Sequence, residues 1–159
     1  LTTQDLMWTG AVTVKKELLF RAGLFPSNSK CKKGGDLDTW IRCLQISKQS
    51  IYLDEHLSYY YRDTVNQVTN HKTNPTSYFC AYNTVSNIYE NTSDKKLRKA
   101  IRYFINRNIF SILYNQVDSG RPIEFYQIKK FKLSFLSLYY LIRVFTQRLL
   151  VISKIKRPK

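Results

Sequence analysis

Apolar and polar positions follow two different rhythms along this chain. Over residues 1–65, short apolar runs are broken by turn residues. Trp8–Val14 (WTGAVTV) is rich in β-formers and predicts a strand. Lys15–Ala22 (KKELLFRA) reads as a helix, with Gly23 placed to end it. Leu24, Phe25 and Pro26 then lead into a polar loop, Ser27 to Gly35. Asp36 opens a second helix, whose Leu37, Trp40, Ile41 and Leu44 share one face. Ile51–Leu53 and Leu57–Tyr61 predict two short strands around the turn Asp54-Glu55.

From residue 75 the period becomes helical. Asn74-Pro75 marks a helix start, with Tyr78, Tyr82, Val85 and Tyr89 on one face. Ser93-Asp94 starts the next helix. It turns Leu97, Ile101, Phe104, Ile105, Ile112 and Leu113 inward and Lys95, Lys96, Arg98, Lys99 and Arg102 outward. Gly120-Arg121-Pro122 breaks the chain, and a last helix is expected over roughly Ile123–Ile155. In it Phe131, Phe135, Leu138, Ile142, Phe145, Leu149 and Ile152 form one apolar stripe, opposed by Lys132, Arg143, Gln147 and Lys154. The pattern therefore predicts an α/β portion over residues 1–70 and a mostly α-helical region over residues 71–159.

Composition narrows what such a chain can be. With 43% hydrophobic and 14% aromatic residues in 159, it has enough apolar matter for a core and is no disordered basic tail. Leu1 stands where a native chain carries Met, which reads as a fragment or a processed product. The net charge of +15 is lopsided: residues 91–159 hold sixteen basic and three acidic side chains, and no acid follows Glu124. Such a basic half calls for an anionic partner. Cys31, Cys43 and Cys80 lack metal-site spacing and read as reduced thiols of a cytoplasmic protein. The longest uncharged apolar stretch near the C-terminus, Leu133 to Ile142, is shorter than the roughly 20 residues of a spanning helix, so a membrane span is disfavoured and surface association stays open. Two readings of the last helix stay open: an interfacial helix on anionic lipid, or a helix packed on the domain with snorkelling Lys and Arg.

The stretch with chemical content is Gly34-Gly35-Asp36-Leu37-Asp38-Thr39-Trp40-Ile41-Arg42. Glycines let backbone approach a ligand, a helix N-terminus favours negative charge, and an ionised carboxylate there can act as general base towards a hydroxyl. Asp38, two positions on, lies about 200° round the helix, so the two acids form no face-to-face dyad. On local sequence alone, an Asp at a helix start such as Asp36 is usually only a cap.

The order of these pieces resembles the C-terminal half of the catalytic domain of family 2 glycosyltransferases, inverting enzymes of the GT-A fold. The family's small-residue strand is similar to Thr9-Gly10-Ala11-Val12, its G-x-F turn to Gly23-Leu24-Phe25, and its acidic helix start to Gly35 through Arg42. Its closing strands resemble Ile51-Tyr52-Leu53 and Leu57-Ser58-Tyr59-Tyr60-Tyr61-Arg62. The resemblance implies a partial GT-A-type α/β fold and makes Asp36 the base that deprotonates the acceptor. Asp38 and Trp40 would support the acceptor pocket and the helix, Thr9 and Gly10 would support the acceptor side, and Arg62 would lie near the phosphates. It implies a nucleotide-sugar donor and a glycan or lipid-linked acceptor. A divalent cation (Mg or Mn) would be held by a donor half that precedes Leu1, with no metal on this chain and no transfer by it alone. The expected place is cytoplasmic, peripheral on the inner face of the cell membrane. Two departures are visible: Gly35 replaces the family's first motif acid, and Thr64 stands where a His is common. A basic nucleic-acid-binding module or a non-catalytic interaction module are the alternatives, although no nucleic-acid motif is present and no specific nucleic acid is expected.

Overall fold

The structure, a computed structural model, describes residues 9–27, 31, 34–47, 49–55, 58–59 and 79–155. The chain divides into two compact units, residues 1–73 and residues 74–159.

In the first unit a 3₁₀ turn, Thr9–Ala11, leads to helix α1 (Lys16–Arg21) and helix α2 (Gly35–Ser47). Helix α1 ends in a Schellman turn: Gly23 N–H bonds Phe20 O at 3.0 Å and Leu24 N–H bonds Leu19 O at 3.1 Å. That geometry needs a left-handed residue, which Gly23 supplies at φ 81°. Ala22, Trp40 and Cys43 form the small core, with Val12, Val14, Leu18, Leu19 and Ile46 packed against it. The side chain of Arg42 ties the two helices together. Its guanidinium donates to Ala22 O, to Leu24 O at 2.8 Å and to Thr39 Oγ1 at 3.0 Å, and its Nε pairs with Asp38 at 3.0 Å. The carbonyls that the end of α1 leaves open are thus satisfied from α2.

The α/β expectation for this unit, with its partial GT-A-type sheet, is overturned: no strand occurs among the described residues. Within Trp8–Val14, residues 9–11 form the 3₁₀ turn, residues 12–14 have no regular structure, and Trp8 lies outside the described residues. Ile51–Leu53 also has none, and its side chains are exposed. Ser58 and Tyr59 are irregular too, while Leu57, Tyr60 and Tyr61 lie outside the described residues. Strand propensity measures fit to a half-buried pleated surface, and a strand exists only by bonding to a neighbour. These runs have the residue types without the neighbour.

The second unit holds helices α3 (Tyr82–Asn91), α4 (Lys95–Asp118), α5 (Phe125–Ile128) and α6 (Phe135–Ile155). Asn74, Pro75 and Tyr78, the expected start of its first helix, lie outside the described residues. Asp94 caps α4, accepting from Lys96 N at 2.8 Å and Leu97 N at 3.2 Å. A second Schellman turn closes α4, with Gly120 at φ 76°. Ile101, Ile105, Ile109, Ile112, Leu113 and Val117 line its buried face, and α3 and α6 both pack on α4.

The single last helix expected over Ile123–Ile155 is two helices with a break between them. Asn106, fully buried in α4, makes the break. Its Nδ2 donates to Lys132 O at 2.8 Å and to Ser134 Oγ at 3.2 Å, while its Oδ1 accepts Lys132 N at 2.8 Å. Backbone groups used this way are lost to helix continuation. Helix α6 then restarts through a reciprocal pair: Ser137 N donates to Ser134 Oγ at 3.1 Å, and Ser134 N donates to Ser137 Oγ at 2.9 Å.

Gly35 packs closely in the first unit. A Cβ there would lie 2.9 Å from Pro26 Cγ, so the acid that the resemblance expects at this position has no room. Gly35→Ala is expected to cost roughly 1–3 kcal/mol through overpacking, offset in part by alanine's better helix propensity. Urea unfolding followed by circular dichroism checks this, and an unchanged midpoint would show that Pro26 yields freely.

Candidate functional site

Of the residues singled out from the sequence, Thr9 and Asp36 meet at the start of α2. Asp36 is the second residue of that helix and is half-buried. Its Oδ1 accepts the Leu37 N–H at 2.8 Å, and its Oδ2 accepts the hydroxyl of Thr9, 27 residues earlier. A carboxylate offers about four lone-pair sites, so these two bonds orient the group and leave acceptor capacity for a further hydroxyl. Gly10 follows Thr9 in the exposed 3₁₀ turn.

Asp38 and Trp40 do different work. Asp38 is buried and paired with Arg42 at 3.0 Å, one helical turn on. Trp40 is buried in the small core and meets Phe25 edge-on, ring centroids 5.4 Å apart. Both hold α2 against the turn after α1 and so position Asp36 indirectly. The i, i+4 spacing of Asp38 and Arg42 is a sequence signal for that pair, whereas nothing local announces the bonds from Arg42 to Ala22 and Leu24. Arg62 and Thr64 lie outside the described residues.

The divalent cation implied by the resemblance does not fit these residues. Asp36 and Asp38 are turned to separate partners, Thr9 and Arg42. Among the described residues no three His, Cys, Asp or Glu side chains converge. Cys31 and Cys43 are free thiols. Burial pushes the Cys43 thiol up, against a smaller opposing pull from the Arg42 charge. Timed alkylation read by peptide mass spectrometry is therefore expected to modify the half-buried Cys31 well before Cys43. Equal rates would mean that the inner face of α2 opens readily.

No family model, no curated protein and no solved structure matches this chain.

The second unit offers a cavity and a surface. The cavity, about 140 Å³ and lined by Lys99, Arg102, Tyr103, Asn106, Ser134 and Leu136, is smaller than the roughly 300–1,000 Å³ of small-molecule sites. The surface is α6. This helix packs on α4 through Ser137, Tyr140 and Val144, and its stripe faces outward: Phe135 is 95% exposed, Leu138 56%, Ile142 55% and Leu149 67%. Polar groups of α6 turn towards α4 instead. Gln147 Nε2 donates to Asp118 at 3.0 Å, and Arg148 donates to Arg121 O at 3.1 Å. Phe135–Ser153 also has the length and mean hydropathy, 1.4, of a membrane span. Arg143 and Arg148 sit inside that window, and each would cost about 2.5–3.5 kcal/mol at the centre of a span.

Proposed function

We propose that the chain contributes the acceptor side of an inverting glycosyltransferase, with Asp36 as general base. The observation that carries this reading is the meeting of Asp36 with Thr9: two segments far apart in sequence, both singled out for the acceptor side, converge on one half-buried carboxylate at a helix start. In the reaction, an Asp36 oxygen takes the proton of the acceptor hydroxyl as its oxygen attacks the anomeric carbon. The bond from that carbon to the donor phosphate breaks on the opposite side, the nucleoside diphosphate leaves with the electron pair, and configuration inverts. Thr9 and the Leu37 N–H hold the carboxylate in place, and the Asp38–Arg42 pair with Trp40 holds α2.

The donor is a nucleotide sugar and the acceptor a glycan or lipid-linked glycan. The divalent cation belongs to the donor phosphates and has no ligand set on α2. The test is the full-length protein incubated with a panel of nucleotide sugars and glycan acceptors, reading nucleotide release and the anomeric configuration of the product. Product with inverted configuration supports the reading, while retained configuration or no transfer from any donor overturns it.

A further inference from the structure

We infer that α6 lies flat on an anionic bilayer, its stripe of Phe135, Leu138, Ile142, Phe145 and Leu149 buried at the headgroup–acyl boundary. The inference stands apart from the transferase reading, since it concerns the second unit alone. Its ground is an inversion of the usual arrangement. A surface helix of a water-soluble domain turns its apolar face to the core, whereas α6 gives the core Ser137, Tyr140 and Val144 and leaves its large side chains exposed. The exposed positions follow helical spacing and so form one continuous face, which Leu133, 92% exposed, extends beyond the helix start.

Charge selects the occupant. Residues 91–159 carry sixteen basic and three acidic side chains, so a second copy would bring like charge to the same face, while an anionic lipid surface brings the opposite charge. Arg143 is exposed at the polar side of α6, its guanidinium over the Phe110 and Tyr114 rings of α4. Lys129, also exposed, precedes the helix. Basic side chains bordering an apolar face are what a helix in the interface plane requires. Packing settles flat against spanning. One flank of α6 is covered by α4, whose first turns carry exposed Lys95, Lys96, Arg98 and Lys99, and that flank has no place in hydrocarbon.

The test is flotation of the whole chain with phosphatidylcholine vesicles, with and without added phosphatidylglycerol. Binding is expected on the anionic vesicles and little on the neutral ones, and it should fall as salt rises towards about 1 M, where the screening length is near 3 Å. Phe145→Asp with Leu149→Asp should weaken binding by roughly tenfold or more, the scale of losing a buried large apolar side chain, with an unchanged circular dichroism spectrum. If that pair unfolds the protein, Phe135→Asp, at a fully solvated site, replaces it. An alkaline carbonate wash should release the bound protein. Absent flotation, flotation unaffected by the Asp variants, resistance to the wash, or self-association through this face without vesicle binding would each overturn the inference.

Discussion

Asp36→Asn in the full-length protein is expected to slow sugar transfer by roughly 10²–10⁴-fold, the usual contribution of a positioned general base. Asparagine keeps the shape: its Oδ1 can still accept the Leu37 N–H, and its Nδ2 can donate to the Thr9 hydroxyl oxygen, reversing that bond, so donor affinity and thermal stability should stay nearly unchanged. Asp38→Asn should behave in the opposite way. It removes one charge of a buried pair and leaves Arg42 to the Ala22 and Leu24 carbonyls, so it lowers stability while the turnover of the folded fraction persists. Steady-state kinetics and a denaturation curve on both variants separate the two roles. Wild-type turnover in Asp36→Asn would remove the base from the proposal, and a loss confined to Asp38→Asn would move it there.

Asn106→Leu is expected to destabilise the second unit by about 3 kcal/mol. The variant orphans the Lys132 N–H and C=O that the amide now satisfies, at roughly 1–3 kcal/mol for each unsatisfied group. For a unit of this size the midpoint should fall by roughly 12–24 °C, taking about 4–8 °C per kcal/mol. Asn108→Ala is the control: its Nδ2 bonds Phe104 O at 2.9 Å within the same helix, so its loss should be small. Thermal unfolding of both variants checks the contrast. Equal losses would show that the amide clip on residue 132 contributes no more than an ordinary helix-surface bond.

The two variants also mark how far the sequence could be read. The site was legible at the level of its order: Asp36 at a helix start after two glycines, with Thr9-Gly10 upstream, was visible without coordinates. For Asp38 and Trp40, support of the helix was legible, whereas whether an acid or an indole also lines a pocket is decided by burial. Gly35 looked like a missing acid, and only the proximity of Pro26 shows why a side chain has no room there.

Helix ends were determined by the sequence alone. Gly23 after α1, Asp94 before α4 and Gly120 after it act on backbone groups within a few residues, so the signal and the structure it controls lie side by side. The tertiary structure decided three other matters. The runs at residues 9–14 and 51–53 are strand-like in type, but a strand needs a neighbour that no local pattern supplies. The break between α5 and α6 is imposed by a buried amide 26 residues away, which takes the backbone bonds of Lys132. The stripe of α6 was plain in the sequence, but periodicity shows only that a face is apolar. Packing against α4 turned that face outward, because Ser137, Tyr140 and Val144 had already filled the contact.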